Sequence, residues 1–295
     1  VNIFGVNVSK VVNNLITISK LVPLALFIAI GIFFINGANF TPVFPQDTYI
    51  DGSFAQAAVL LFFAYTGFEV IAIAAEDMKN PKKNLPRAII TCMLIVSVLY
   101  MAILAVSIGV LGPDLANTKA PVQDAFNVIV GPIGMYIVLA GTLISMGGIN
   151  FAEAYYAPRI ATSMAEDGML PSALAKRNRY NAPYVAAIVT AIASVLLAWS
   201  GSFTTLAAIS AVSRFTQYLP TCLAVIIFRH KWADKERSYT IPGGYTIPVI
   251  AIGTSLWMLW QAQPNQLLWG LGGCIVILPL YVWYWRKKKA GLIKE

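Results

Sequence analysis

Residues 54–90 read FAQAAVLLFFAYTGFEVIAIAAEDMKNPKKNLPRAII, and this stretch decides the fold. It begins with an apolar run that is long enough to cross a bilayer, because about 20 apolar residues span the hydrocarbon core. Gly67 and Glu69 lie at the centre of that run, and a basic loop bounded by prolines ends it. An ionisable side chain is costly inside a membrane. Glu69 therefore indicates either a functional site or a bond to a neighbouring helix.

The composition of the whole chain predicts an all-α polytopic membrane protein. Of the 295 residues, 58% are hydrophobic and only 12% are charged, and the mean hydropathy is +0.70. In a soluble domain, about a quarter of the residues are charged. Hydropathy windows predict a single transmembrane bundle over residues 1–295 with eight spans, at about 11–35, 54–75, 88–111, 127–157, 183–199, 203–228, 245–261 and 267–285.

The basic residues predict the topology of these spans. If the first span runs outward, every Lys and Arg except Lys20, Lys119 and Arg214 falls in a cytoplasmic segment. This positive-inside bias predicts a multi-pass protein of the cytoplasmic membrane with both ends of the chain in the cytoplasm. Because the net charge of +8 is held in these short loops, it does not favour nucleic-acid binding.

The sequence contains no pattern that indicates an enzyme. It has no nucleophile triad and no phosphate-binding loop, and its single histidine, His230, lies in a loop. Cys92, Cys222 and Cys274 are spaced too irregularly for a metal site. We therefore expect neither catalysis nor a cofactor. The start, VNIFGVNVSK, has no initiator Met and resembles no signal peptide, so we expect a fragment of a longer chain.

Two charged residues in the first two spans allow a structural and a functional interpretation. Lys20 lies about 10 Å of helix inside the edge of the first span, so it either extends back to the headgroups or is a buried ammonium with a role in transport. Gly67, with Thr66 beside it, either unwinds the second span so that backbone carbonyls bind an amine, or permits close helix packing. Glu69 is then a functional residue of the same site or is bonded to a neighbouring helix.

The fourth span carries Gly147, Gly148, Asn150 and Glu153 in its deeper half. The glycine pair favours close helix approach, and Asn150 is a candidate substrate-binding residue. Glu153 is either half-solvated or paired with another intramembrane charge, for which Lys20 is the candidate. Arg214 lies near the centre of the sixth span. It either binds a substrate carboxylate through both guanidinium nitrogens or pairs with Glu69 or Glu153.

Three motifs occur in an order that resembles a known family. They are FFAYTGFE, then EDMKNPKKNLPRAI, then PRIATSMAEDGMLP. The chain resembles the bacterial amino acid permeases of the amino acid, polyamine and organocation superfamily along its whole length. The resemblance implies a twelve-helix fold like that of the leucine transporter, built from two inverted repeats and two further helices. The eight spans would be helices five to twelve, and helices one to four of the same protein would be missing.

The resemblance also implies roles for individual residues. Phe63 matches an aromatic gate over the substrate, and Ala64, Tyr65, Thr66 and Gly67 match the unwound segment that receives the substrate's amino group. Lys20 matches the fifth-helix lysine that replaces a sodium ion in sodium-independent members. Glu69 matches a sixth-helix glutamate linked to proton sensing in some relatives. Glu153 and Arg214 fall at the level of the site, where small or neutral residues are usual in the family.

These observations predict secondary active transport of amino acids by alternating access, either proton-coupled symport or exchange. Neutral substrates are favoured because Glu69 and Glu153 balance the charges of Lys20 and Arg214 within the protein. An acidic amino acid or amine exchanger is the alternative within transport, and Arg214 discriminates between the two. A truncated membrane scaffold without transport is the alternative from another class.

Overall fold

The computed structural model describes residues 6–41, 53–71, 78–179, 181–235, 237 and 239–289. These residues form helices joined by short turns, and no strand occurs among them. The predicted all-α class is thus confirmed. The α-helices of the described part are α1 (Val6–Gly31), α2 (Ser53–Ala64), α3 (Pro81–Leu111), α4 (Pro121–Val130), α5 (Pro132–Glu166), α6 (Tyr184–Trp199), α7 (Phe203–Lys231), α8 (Thr246–Gln261) and α9 (Pro264–Lys289).

Five helical stretches of the described part are long and apolar enough to cross a membrane. They are Ile16–Phe34, Ser53–Ile71, Pro81–Asn117, Pro132–Glu166 and Phe203–Lys231. Two further helices, α6 and α8, are apolar but shorter. Lipid forces such segments into helices because no water is present in the bilayer core to bond the backbone.

Two of the predicted spans take a different course in the structure. The segment predicted at 127–157 covers the end of α4 and most of α5, and these two helices meet at Gly131 (φ 74°). Pro132 follows and has no N–H to continue a helix, so a new helix starts there. The segment predicted at 54–75 leaves the α-helix after Ala64, and residues 72–75 lie outside the described part.

The described residues fall into two compact units. Among the described residues, the first comprises 6–41, 96–179 and 181–195, and the second comprises 53–71, 78–95, 196–235, 237 and 239–289. α3 and α6 each contribute residues to both units. The arrangement of all spans in a single bundle remains a prediction.

The first unit is built around α1 and α5, with α4 packed against both. Its buried core comprises Phe27, Val106, Ala125, Phe126 and Val138. The rings of Phe27 and Phe126 meet edge to face with centroids 5.7 Å apart, a favourable aromatic geometry. At Gly148 a Cβ atom would overlap the side chain of Ile16 on α1, whereas at Gly147 nothing lies within 4 Å. Only Gly148 of the predicted pair therefore permits close helix approach.

The second unit is centred on α7, which packs against α2, α8 and α9. The buried residues of α7 are Ala207, Ala208, Ala211, Val212 and Phe215. They recur at intervals of one, three and four positions and so form one face of the helix. Ala208 and Ala211 join Val59 of α2 in a buried cluster, against which Phe62 and Phe63 pack. The end of α2 is therefore fixed against the middle of α7.

Candidate substrate site at the helix break

The helix α2 stops in the middle of its apolar run. It ends at Ala64, residues 65–67 form a turn, and residues 68–71 continue as a 3₁₀ helix. In the turn, the N–H groups of Tyr65 and Thr66 donate to the carbonyls of Phe62 and Phe63, at 3.1 and 3.0 Å. Each bond spans three residues rather than the four of an α-helix. The backbone thus leaves the α-helical pattern at the segment that the sequence singles out.

Gly67 gives the turn its shape. Its φ of +104° is a conformation that L side chains rarely adopt. Nothing lies within 4 Å of a Cβ built at this position, so glycine is required by the backbone angle and not by lack of space. The Gly67 N–H donates to Oε2 of Glu69 at 2.9 Å, and the Thr66 hydroxyl donates to the Phe63 carbonyl at 2.7 Å. The side chains of Thr66 and Glu69 therefore form hydrogen bonds with backbone groups that lose their helical partners at the break.

Both oxygens of the Glu69 carboxylate are engaged. Oε1 forms an ion pair with Nη1 of Arg214. Oε2 accepts hydrogen bonds from the Tyr218 hydroxyl, at 3.1 Å, and from the Gly67 N–H. The Glu69 side chain is 15% exposed and that of Arg214 is 31% exposed. A single carboxylate thus ties the turn to α7 and neutralises the arginine.

The two groups of α7 that bind Glu69 lie on one face of that helix. Arg214 and Tyr218 are four residues apart, which places them one turn apart on the same side. Aromatic rings pack against Tyr218 and its neighbour on α7, Phe215. Phe62 stacks on Phe215 with centroids 4.8 Å apart, and the rings of Phe62 and Phe68 each lie 5.9 Å from that of Tyr218. Because the side chains of Glu69 and Arg214 are largely shielded from water, the attraction between their charges is stronger than in water.

Phe63, the predicted gate, precedes the turn. Its side chain is half-buried, and its ring meets that of Phe203 at the start of α7 edge to face, with centroids 6.1 Å apart. It also packs against the buried cluster of Val59, Ala208 and Ala211. The structure therefore places the aromatic ring next to the turn, held by the first three turns of α7.

Lys20 belongs to the first unit. Its half-buried side chain lines a cavity of about 360 Å³ between α1, α3 and α5. The polar groups that share this lining come from Tyr100, Thr142 and Ser145, and the remaining lining is apolar. The Lys20 side chain therefore lies in a partly polar cavity between three helices of the first unit.

Two further predicted residues stand apart from these groups. Glu153 is exposed on α5, and the ion pairs among the described residues join Arg214 to Glu69 and Arg177 to Glu166. The candidate pairing of Glu153 with Lys20 is therefore not formed, because Glu153 points away from the packed face of its helix. Asn150 is also exposed, and its Nδ2 donates to the Met146 carbonyl of the same helix at 3.0 Å.

Tyr218 and Phe62 are residues of the site that sequence reasoning missed. The spacing of Tyr218 from Arg214 is a usable signal, since a tyrosine one turn from an intramembrane arginine can bond the same partner. Phe62 has no such signal, because an aromatic residue in an apolar run is usually a packing residue.

The sequence profile of the amino acid permease family matches residues 1–284. The chain belongs to the amino acid permease family. It is similar to the branched-chain amino acid permease BcaP of Bacillus subtilis, with 30% identity over 96% of this chain and 61% of the relative. It is also similar to two other B. subtilis proteins. They are the methylthioribose transporter (30% identity, 87% of this chain, 55% of the relative) and the serine/threonine exchanger SteT (28%, 98% and 67%).

This permease chain spans between 55% and 67% of the length of these three relatives. The family match and the apolar helices described above identify the chain as part of a multi-pass membrane protein of the amino acid, polyamine and organocation superfamily.

Proposed function

We propose that this permease chain takes part in secondary active transport of amino acids across the cytoplasmic membrane by alternating access. The observation that carries the proposal is the interrupted helix at residues 65–67, held to α7 through Glu69, Arg214 and Tyr218. Broken helices at membrane depth occur where the backbone is buried in protein or lines a cavity, and in transporters they form substrate sites. The names of two relatives, a branched-chain amino acid permease and a serine/threonine exchanger, support the same substrate class.

In this proposal the substrate's ammonium binds the backbone of Ala64, Tyr65, Thr66 and Gly67. Carbonyl oxygens carry partial negative charge, and an ammonium with three donors suits several of them at once. Phe63 forms the lid, since its ring lies at the start of the turn and contacts Phe203. Asn150 is proposed as a further polar contact of the substrate in the complete protein.

The Glu69–Arg214 pair favours a substrate with a neutral side chain. An acidic substrate would need a free cation at the site, but the guanidinium of Arg214 already faces a carboxylate. Breaking this partly buried ion pair costs about 2 kcal/mol. The two relatives named above, for branched-chain amino acids and for serine and threonine, also have neutral substrates by their names.

Coupling is proposed to involve Lys20, Glu69 and Glu153. Lys20 lines its cavity, and in this proposal its side chain supplies the positive charge that a sodium ion would otherwise bring. Transport is then independent of sodium and runs as proton symport or as exchange. The positive-inside bias supports the proposed orientation, with both ends of the chain in the cytoplasm. Those ends lie outside the described residues.

Uptake by the full-length gene product tests this proposal. The purified protein, reconstituted in liposomes, should take up labelled leucine, serine or alanine in a saturable manner, either with an imposed proton gradient or in exchange for internal amino acid. Empty liposomes are the control. Absence of uptake for every amino acid under both conditions would contradict the transport proposal and favour a membrane scaffold.

A further inference from the structure

A second pocket lies within the second unit at the C-terminal end of α7. Its volume is about 360 Å³, the same as that of the cavity beside Lys20, and it lies between the last turns of α7 and residues 239–241. Its apolar wall comprises Val225, Phe228, Trp232 and Ile241. The rings of Phe228 and Trp232 stack with centroids 4.6 Å apart. A continuous apolar strip therefore runs from the membrane helix into the following loop.

The length of α7 indicates the level in the membrane at which the pocket lies. This helix has 29 residues, or about 43 Å at 1.5 Å per residue, whereas the hydrocarbon core is about 30 Å thick. Its last turn contains Arg229, His230 and Lys231. Such a basic turn lies at the level of the lipid headgroups, because charged groups avoid the hydrocarbon. The apolar strip thus faces acyl chains at one end and headgroups at the other.

Three cationic side chains line the headgroup end of the pocket: Arg229, Lys235 and Arg237. Nη2 of Arg229 donates to the Ile241 carbonyl at 2.9 Å. Nη2 of Arg237 donates to the carbonyls of Phe228 and Trp232, at 3.3 and 3.1 Å. These bonds use one nitrogen of each guanidinium, which has five N–H donors. Both arginines are therefore held in place by the backbone while further donors remain for an anion.

The surroundings of the cations keep the local charge positive. Lys235 lies with Nζ 5.2 Å from the Trp232 ring, and the Arg229 guanidinium lies 5.9 Å from the Tyr245 ring. A turn with positive φ at Gly243 and Gly244 directly precedes Tyr245. In sequence, the segment 229–237 holds four Lys and Arg against Asp234 and Glu236. Asp234 is not among the residues that line the pocket.

We propose that this pocket binds an anionic phospholipid. The phosphate would accept hydrogen bonds from Arg229 and Arg237, with Lys235 adding charge, and one acyl chain would lie along Phe228 and Val225. Arginine binds phosphate oxygens through two parallel bonds, and basic pockets at the membrane surface are suited to anionic headgroups. The apolar wall favours a lipid over a soluble phosphate, which would leave that wall uncovered. The proposal does not depend on transport, since it concerns the loop after α7 and not the helix break.

Native mass spectrometry of the purified full-length protein tests this inference. The protein is titrated with phosphatidylglycerol and, separately, with phosphatidylcholine. We expect preferential binding of phosphatidylglycerol, and a loss of about tenfold in affinity for Arg229→Gln, the effect of one charge-assisted hydrogen bond. Lys235→Gln and Lys231→Gln form a matched pair, because both remove one positive charge but only Lys235 lines the pocket. Only Lys235→Gln should weaken binding.

The position of the bound lipid is tested by tryptophan fluorescence. The protein is placed in phosphatidylcholine vesicles that contain brominated phosphatidylglycerol. Part of the tryptophan emission should be quenched, and this part should be absent in Trp232→Phe. Equal binding of the two lipids, an equal effect of Lys231→Gln and Lys235→Gln, or unchanged quenching in Trp232→Phe would each overturn the proposal. Displacement of phosphatidylglycerol by inorganic phosphate would overturn it too, because it would indicate a site for free anions.

Discussion

Arg214 on α7 forms an ion pair with Glu69, whose other carboxylate oxygen accepts the N–H of Gly67 in the turn that ends α2. The same side chain therefore compensates a positive charge inside the membrane and holds open a break in a helix. Disruption of the ion pair should therefore also disturb the helix break, and a change in the break should disturb the ion pair, because both depend on the position of one carboxylate.

The ion pair should show strong energetic coupling. Glu69→Gln and Arg214→Gln each leave a partly buried charge without its partner, so each should lower the free energy of unfolding in detergent by about 2 kcal/mol. The double variant should lose less than the sum of the two, with a coupling energy of about 1–3 kcal/mol.

The exposed pair of Arg177 and Glu166, 2.8 Å apart, is the control for this cycle. Its side chains are 40% and 48% exposed, so its coupling energy should stay below about 1 kcal/mol. Equal coupling energies for the two pairs would show that the Glu69–Arg214 ion pair stabilises the protein no more than an exposed ion pair does.

Gly67 should not tolerate a side chain, because of its backbone angle. Gly67→Ala forces a Cβ onto a residue with φ of +104°, at a cost of about 1–3 kcal/mol, and should impair uptake by closing or distorting the turn. Gly147→Ala is the matched control: a Cβ there also meets nothing within 4 Å, but Gly147 lies in a regular helix. Uptake and thermal unfolding of the two variants are compared, and normal uptake by Gly67→Ala would count against a required turn.

Tyr218 should stabilise the break through its hydroxyl alone. Tyr218→Phe keeps the ring contacts with Phe62 and Phe68 but removes the hydrogen bond to Glu69. A hydrogen bond to a charged group contributes about 1.5 kcal/mol, and the free energy of unfolding should fall by that amount. Tyr136→Phe, at a side chain that is 62% exposed, should have no effect. An equal change in both variants would exclude a specific role of the Tyr218 hydroxyl.

Lys20 should make sodium unnecessary. Uptake by the full-length protein should persist when choline replaces sodium, and Lys20→Ala should reduce it strongly. Lys20→Arg keeps the charge but changes the shape of the cation, so it should restore uptake only in part. Lys119→Ala, which removes an exposed lysine of the same unit, should transport normally. A strict sodium requirement of the wild type would disprove the role of Lys20.

Hydropathy predicted the helices because lipid leaves an apolar segment of this length no other structure. It missed the division at Gly131 because a glycine followed by a proline scarcely changes the mean of an apolar window. The sequence leaves the partner of Arg214 open between Glu69 and Glu153, because it does not give the rotation of one helix against another. The structure shows Glu69 facing α7 and Glu153 exposed. The spacing of Tyr218 from Arg214 indicates a shared helix face, but the rotation decides which partner the two side chains bind.

Competition of labelled alanine uptake by glutamate tests most directly whether the Glu69–Arg214 pair leaves a site for neutral amino acids. The measurement uses the full-length protein in liposomes, as wild type and as Arg214→Gln. We predict that unlabelled leucine or serine inhibits wild-type uptake, whereas glutamate at the same concentration does not. Strong inhibition by glutamate in the wild type that disappears in Arg214→Gln, with alanine uptake retained, would contradict this and assign Arg214 to an acidic substrate.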